Sequence, residues 1–451
     1  MARPAPGATS PDPLGEGFVV VVAAVEDALD AFLPGRARIA VAISGGVDSM
    51  VLLDALAQVA KERPIELSAV HVNHGLSAAA DDWARFCTER CASLGIPLSV
   101  RRVRITRAPG KSLEALARAA RYEQFMACQV DAVALAHHAD DQAETVLLQM
   151  LRGAGPRGLS AMPAFRRGTP ALLRPLLSLT RKTIAAYAAS RGLAWIEDES
   201  NRDTKHRRNF LRQEISPRLA ARFAGYPATL VRVASHQAEG GALLEELAAL
   251  DAEGAVDAGG LDRAHLAGLP DARAANLLRW FLRREGLRPP SRARLADLLR
   301  QLRSASADAH TRIAHDGAEL GCHRGRVVVH APAAAPFAIA WTGDPEVLLP
   351  GGTLVFEAVA GEGIADAKLA LASVTVRSRE GGERIRLAAN RPRHAVKKLL
   401  QQASIPVWQR QALPLVWCGD ALAAIPGIGV DVAFQAASDE KGWRLVWRPT
   451  P

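Results

Sequence analysis

Three stretches hold most of the side chains able to do chemistry. The first is Ser44-Gly45-Gly46-Val47-Asp48-Ser49. Two adjacent glycines let a backbone approach an anion closely. The serine hydroxyls add donors, and a helix starting at once adds unpaired N–H groups at its positive end. The second is His137-His138-Ala139-Asp140-Asp141-Gln142-Ala143-Glu144-Thr145. His138, Asp141 and Glu144 are spaced i, i+3, i+6 and project towards one side of a helix that begins early. Carboxylates so placed can hold Mg²⁺, which prefers a few oxygen ligands and retained waters, or can bind an ammonium group on a substrate. The third is Arg207-Arg208-Asn209-Phe210-Leu211-Arg212, which follows the acidic run 197–201. Each has a plainer reading: a strand-to-helix turn, an acidic helix start with one satisfied histidine, and a salt-bridged helix start. A zinc site in the second stretch would lack a third well-spaced ligand.

Two lesser groups accompany them. His71-Val72-Asn73-His74-Gly75-Leu76 closes an apolar run, where a strand end can meet the adenosine half of a nucleotide or simply form a capped polar loop. Arg118 and Arg121 are i, i+3 beside Glu114 and Tyr122, placed to contact nucleotide or RNA phosphates, or solvent. The glycine spacing at 45–46 is neither G-x-G-x-x-G nor G-x-x-x-x-G-K-[ST], so neither dinucleotide nor Walker-type binding is indicated.

The elements that must position these groups follow from hydrophobic pattern. Ile39, Val41 and Ile43 read as a buried strand ending in the glycine turn, and Met50, Val51, Leu52, Leu53 and Leu56 as the helix after it. Strands are expected at 66–74, 98–105 and 132–137, with helices at 79–94, 112–130 and 140–153. Four strand–helix alternations predict a Rossmann-like α/β fold: an open parallel sheet with helices on both faces and ligands at the carboxyl ends of the strands. Further on, LLRPLL (172–177), a helix over 180–191 and another from 207 to 219 are expected. The pattern from 227 to about 305 is helical with a break at 251–262, 311–330 resembles a hairpin, and 331–338 reads as a linker. Short strands at 374–379, 383–387, 414–418 and 443–447, with a basic helix at about 394–403, predict a small α+β domain. The resulting organisation is a disordered tail (1–15), a nucleotide-binding catalytic domain (16–222), a mostly helical central domain (223–330), a linker with short strands (331–371) and the α+β C-terminal domain (372–451).

With 451 residues, two or three domains are expected. The formal net charge is +9, carried mainly by arginine, which suits bidentate phosphate contacts but is weak evidence alone. The five cysteines show no C-x-x-C pair and no zinc spacing, which points to a reducing, cytoplasmic setting. No stretch is long and apolar enough for a membrane span, and GFVVVVAAV (17–25) runs into acidic VEDALDAFL, unlike a signal peptide.

SGGVDS resembles the pyrophosphate loop of the PP-loop ATP pyrophosphatases, which split ATP between the α and β phosphates. SGGVDSMVLL, HVNHGL, EALARAARY, HHADDQAETVLLQMLRGAGPRGLSAM and WIEDESNRDTKHRRNFLR occur in the order seen in the tRNA(Ile)-lysidine synthetase family. VRSREGGERIRL, KKLLQQASIPVWQRQALPLVW and IPGIGV are similar to that family's C-terminal domain. The likeness covers most of 38–220 and 374–431, with 225–372 matching only as a helical spacer. Ser77 stands where members often have arginine, and Ala136 where glycine is common.

The resemblance implies a ligase that uses ATP and Mg²⁺ to join L-lysine to the wobble cytidine of a tRNA(Ile) with a CAU anticodon, changing codon recognition from AUG to AUA. It implies ATP contacts from Ser44, Gly45, Gly46, Val47, Asp48, Ser49, His71, Asn73 and Arg118. Asp48, His138, Asp141, Glu144 and Arg208 would be catalytic, with His138 or a carboxylate as the base that frees the lysine amine. Asp48 and Asp141 would hold Mg²⁺. Asp141, Glu144, Arg208, Asn209, Arg212, Arg384, Lys397 and Lys398 would bind lysine or tRNA, with the central domain and the Arg-rich tail (also Arg377, Arg379, Arg386, Arg391, Arg393) touching tRNA. No membrane is implied, and a homodimer is compatible with it. Two rival readings are another PP-loop tRNA-modifying enzyme, such as a thiolase, and a non-catalytic RNA-binding protein.

Overall fold

The computed structural model describes residues 13–107, 109–110, 112–197, 203–304, 311–332 and 335–449. Most of the expected disordered tail and the acidic residues 198–202 lie outside them. The chain divides into two compact units, 1–243 and 244–451.

The first unit runs α1 (Pro13–Phe32), β1 (Ala37–Ala42), α2 (Val47–Val59), β2 (Ile65–Asn73), α3 (Ala80–Ser93), β3 (Leu98–Arg102), α4 (Leu113–Met126), β4 (Ala132–Ala134), α5 (Ala139–Leu151), α6 (Pro156–Leu159), β5 (Phe165–Arg166), β6 (Ala171–Leu173), α7 (Arg181–Ser190), α8 (Arg207–Phe210) and α9 (Ser216–Arg222). Its six-stranded sheet has the order β3-β2-β1-β4-β6-β5. The strands are parallel except β5, an antiparallel edge that hydrophobic pattern alone did not reveal. Period-two alternation splits each strand between two cores. Ile39, Val41 and Ile43 face a cluster with Leu29, Leu53, Leu56, Cys87 and Tyr187 from α1, α2, α3 and α7. Ala40, Val70, Val72 and Val133 face Phe125 of α4 on the other side. Helices therefore cover both faces, as expected.

The strand order fixes the site. β1 has β2 on one side and β4 on the other, so the connections after β1 and β4 leave the sheet in opposite directions. A crevice opens at their carboxyl ends. Residues 43–49 follow β1 and residues 135–141 follow β4, which brings the two richest motifs together.

The helix expected over 207–219 forms, but it is not α-helical throughout. Between α8 and α9, Leu211–Ile215 form a π-helical turn. Pro217 has no N–H to give to the carbonyl of residue 213, so the ordinary i→i−4 ladder cannot pass through it.

α10 (Tyr226–Ala252) carries the chain into the second unit. There β7 (Val256–Asp257) and β8 (Gly260–Asp262) precede α11 (Arg263–Gly268), α12 (Asp271–Arg284), α13 (Arg292–Ser304), β9 (Arg312–His315), β10 (Ala318–His323) and β11 (Arg326–His330). The expected hairpin at 311–330 is a three-strand meander, and the break in the helical region is β7–β8, which joins it in one antiparallel sheet. Leu277, Leu278, Phe281 and Leu282 of α12 and Leu295, Leu298 and Leu302 of α13 pack on Leu261, Ile313, Leu320 and Val327 of that sheet.

The chain then forms β12 (Ala338–Trp341), β13 (Glu346–Leu349), β14 (Gly352–Ala360), β15 (Ile364–Ala365), α14 (Asp366–Leu369), β16 (Val374–Arg377), β17 (Arg384–Ile385), β18 (His394–Ala395), α15 (Val396–Gln402), α16 (Val407–Ala412), β19 (Leu415–Cys418), β20 (Ala421–Ile425), β21 (Gly429–Val430) and β22 (Lys441–Pro449). Residues 338–365 hold short strands that belong to the tail's sheets. β14 pairs with β22 along nine residues, from Gly352 with Pro449 to Ala360 with Lys441. β12 pairs with β16, so the two larger sheets of the tail need strands from before residue 372. Among the described residues, no helix is long and apolar enough to cross a membrane.

Candidate active site

A cavity of about 380 Å³ opens at the crevice, lined by Ser44, Gly46, Asp48, Ser49, His71, Asn73, Arg118, Arg121, His137 and Arg212 among others. Its floor is the turn at 44–49. Gly46 caps α2 without any side-chain hydrogen bond. An uncapped helix start of this kind, with its dipole, suits an anion. The serines mainly shape the loop. The Ser49 hydroxyl donates to the Gly46 carbonyl at 2.8 Å and accepts the Ser44 N–H at 3.2 Å. Without a phosphate present its proton goes to the backbone. Ser44 Oγ lies 3.3 Å from Ser49 Oγ and accepts the Gly46 N–H at 3.3 Å.

Charges gather where α2 and α5 begin. His138 is 2% exposed, with Asp48, Asp140 and Asp141 at 3.7, 3.6 and 3.5 Å. Burial works against its charge, but Asp140, Asp48 and Asp141 outweigh it and raise the pKa to about 10. His138 is therefore an imidazolium near neutrality. Of the two candidate bases, His138 or a neighbouring carboxylate, this environment favours the carboxylate. Asp48 Oδ1 is buried and has no hydrogen-bond partner.

Glu144 and Asp141 meet the third stretch. Arg208 Nε donates to Glu144 Oε2 at 2.7 Å. Arg212 donates to Glu144 Oε1 at 2.7 Å, to Oε2 at 3.0 Å and to Asp141 Oδ1 at 2.9 Å. Asp141 Oδ2 accepts the His138 N–H at 3.3 Å. Both oxygens of each acid accept at least one hydrogen bond, and each carboxylate keeps further lone pairs for a ligand. Mg²⁺ needs one or two carboxylate oxygens beside phosphate oxygens and waters. Asp48, with its orphaned oxygen, fits that need, and an oxygen from Asp141 would be shared with Arg212 or the His138 N–H. Among the described residues no three metal-ligating side chains cluster.

The histidines lining the cavity have assignable tautomers. His71 Nδ1 faces the Ile43 carbonyl at 3.0 Å and must donate, which leaves Nε2 an acceptor. Burial holds its pKa below the ordinary value. His137 Nδ1 accepts from Arg174 Nε at 3.3 Å, so its proton sits on Nε2. Burial pushes its pKa down to about 3, with Arg174, Arg208 and Arg118 adding to the shift and Asp141 opposing it. Arg174 is 5% exposed and also donates to the Pro163 carbonyl at 2.8 Å. Sequence pattern did not single out Arg174. The available signal was a charge inside the apolar run LLRPLL, since a buried arginine almost always has a partner.

Models of known families match this geometry. A PP-loop domain model covers residues 22–219, a TilS substrate binding domain model 261–328 and a TilS substrate C-terminal domain model 374–447. The tRNA(Ile)-lysidine synthase of Nitrosomonas europaea is 44% identical over 422 residues, 92% of each chain. The chain belongs to the tRNA(Ile)-lysidine synthase family. The synthase of Azoarcus sp. is 42% identical over 91% of this chain and 92% of its own, and that of Coxiella burnetii 38% over 92% and 94%.

Within this family member the remaining expected residues divide. Asn73 shapes a loop: it donates to Ala80 and Asp81 and accepts the Gly75 N–H. Arg118 lies over the Tyr122 ring, 5.0 Å from its centroid. Asn209 lines a second, adjoining cavity of about 820 Å³ with Trp83, Glu114 and His206, and donates to the Asp203 carbonyl at 3.0 Å. In the tail, Lys397 and Lys398 are exposed on α15, and Arg384 is exposed while donating to the Arg393 carbonyl. Arg377 is tied to Thr375 and lies over Trp417, and Arg379 pairs with Glu383. Those two are internal struts rather than free cations.

Proposed function

We propose that this chain is an ATP-dependent tRNA(Ile)-lysidine synthase acting on the wobble cytidine of a CAU-anticodon tRNA(Ile), with free L-lysine as the nitrogen donor. The single observation that carries this reading is family membership over nearly the whole chain, PP-loop and both substrate modules included. The cytosine carbonyl oxygen attacks the α phosphate, its new P–O bond replacing the bond to pyrophosphate, which leaves with the electron pair. The lysine ε-amine then attacks C2 of the activated base. The carbon–oxygen bond breaks, AMP leaves, and the amine proton passes to a rim carboxylate.

Each step has a local physical basis. The uncapped start of α2 opens on the crevice and would stabilise the growing charge of the leaving pyrophosphate. The His138 imidazolium lowers the repulsion between Asp48, Asp140 and Asp141 and the incoming phosphates. Mg²⁺, when bound beside Asp48, would neutralise pyrophosphate charge. Arg208 and Arg212, anchored on Glu144, sit at the rim where the activated base would lie. Cytoplasmic action fits a tRNA substrate. A sulfur-transfer reading is disfavoured, since all five cysteines are buried and none lines either cavity.

The test is incubation of unmodified CAU-anticodon tRNA(Ile) with ATP, Mg²⁺ and labelled lysine. Label in the tRNA with matching AMP release is expected. Absence of label under conditions where the tRNA is bound would overturn the reading.

A further inference from the structure

The phosphate turn is held by a residue from a distant part of the chain that also lines the cavity. The Ile196 N–H donates to the Gly45 carbonyl at 2.9 Å. Gly45 has φ +90°, and a Cβ there would lie 2.8 Å from Ile196 Cδ1 and 3.5 Å from Cys87 Sγ. The Ile196 side chain is thus packed directly against the Gly45 backbone, with the Cys87 thiol beside it. Burial pushes the Cys87 thiol up to about 12, so it stays protonated and acts as an apolar wall.

In a trans peptide the C=O and the next N–H point to opposite sides. Pinning the Gly45 carbonyl to Ile196 turns the Gly46 N–H towards the cavity, where it meets Ser44 Oγ. Glycine at φ +90° has little resistance of its own to a flip of this peptide. A flipped peptide would aim a carbonyl dipole at the pyrophosphate and repel it.

We propose that Ile196 is a positioning residue for pyrophosphate. Its N–H, held in place by its own side chain on Gly45, keeps the Gly45–Gly46 peptide in its donor-forward orientation. Ile196 borders the cavity, and the role assigned to it is exerted through the turn. This role rests on the ATP-cleaving reading above and adds a determinant outside the three chemical stretches.

The experiment compares the parent with Ile196→Ala and Ile196→Val in three measurements. These are ATP–pyrophosphate exchange with CAU-anticodon tRNA(Ile) in the absence of lysine, calorimetric binding of inorganic pyrophosphate with Mg²⁺, and the melting temperature. Ile196→Ala is expected to weaken pyrophosphate binding and slow exchange by about ten- to a hundredfold, the scale of a slightly misplaced catalytic group. The KM for lysine in the full reaction should stay unchanged. Ile196→Val, which keeps the Cγ1 contact, should recover most of both. If Ile196→Ala does not fold, Ile196→Val carries the same test with a smaller loss. Equal pyrophosphate affinity and exchange in parent and variant overturns the inference, as does a loss that only follows melting or lysine KM. A parent that binds the tRNA yet shows no exchange overturns the parent reading instead, so the two failures are distinguishable.

Discussion

Arg212 grips Glu144 with two hydrogen bonds, Nε to Oε1 at 2.7 Å and Nη2 to Oε2 at 3.0 Å, across 68 residues of chain. Arg208 takes the same carboxylate at 2.7 Å. The acid is 2% exposed, so one buried negative charge sets two guanidiniums at the rim of the cavity.

Glu144→Gln keeps the size and removes the charge. Two half-buried guanidiniums then lose their charge-assisted acceptor, at a cost of about 1–3 kcal/mol. The expected outcome is a lower denaturation midpoint and at least about a tenfold loss of lysine incorporation, on the scale of misplaced catalytic groups. Denaturant titration and a turnover assay check it. Full activity with an unchanged midpoint would mean that Arg208 and Arg212 do not depend on this acid.

Asp48→Asn removes the carboxylate whose Oδ1 has no partner. Little stability should go, because its side chain is one-third exposed, but lysine transfer should be abolished. The His138 pKa should also fall, because one of the three acids sustaining it is gone. Histidine titration by NMR together with a rate measurement decides this, and near-parent turnover would remove Asp48 from the chemistry.

The two adjacent histidines give opposite pH signatures. His138 has a folded pKa raised to about 10 from 6.5. Its stabilisation is complete below about pH 6.5 and is lost as pH rises through about 10. His137 has a folded pKa depressed to about 3. Its contribution is complete above about pH 6.5 and is lost as pH falls from there towards 3. Denaturation midpoints against pH should lose their alkaline decline in His138→Gln and part of their acid decline in His137→Gln. Parallel curves for parent and variants would contradict both assignments.

Arg174→Lys keeps the charge but loses the guanidinium fork that orients His137. Turnover should fall by about tenfold, with the KM for tRNA unchanged, because the cavity loses a fixed donor rather than a binding surface. Steady-state kinetics over each substrate separates the two parameters.

Replacing Arg384, Lys397 and Lys398 together by alanine removes three exposed cations from the tail. Binding of tRNA should weaken and its dependence on salt should become shallower, by roughly one unit of slope for each phosphate that is no longer neutralised. Filter binding across a salt series measures this, and an unchanged slope would place the RNA elsewhere.

Much of the first unit was legible because its signals are local. Ile39, Val41 and Ile43 alternate on a strand, the glycines follow at once, and the helix after them is apolar on every side. The crevice followed from the strand–helix alternation. What stayed hidden depends on distant pairing. The spacing of His138, Asp141 and Glu144 put them on one side of a helix, but nothing local says that Arg208, 64 residues away, would occupy Glu144. Arg174 sat unread in an apolar run because its partner His137 is 37 residues off. The basicity of His138 needed three acids counted in space, one of them on another helix.

The nine-residue pairing of β14 with β22 also bears on synthesis and on truncation. β22 leaves the ribosome some eighty residues after β14, which must wait for it with an open edge. Until β22 docks, Trp443, Leu445 and Trp447 are missing from the core around Phe356. A protein cut at residue 370 would keep β14 and lose its partner, leaving a sticky strand rather than a clean catalytic fragment. A cut between β11 and β12 removes both strands together, and a nascent chain stalled before residue 441 is the one that would need a chaperone.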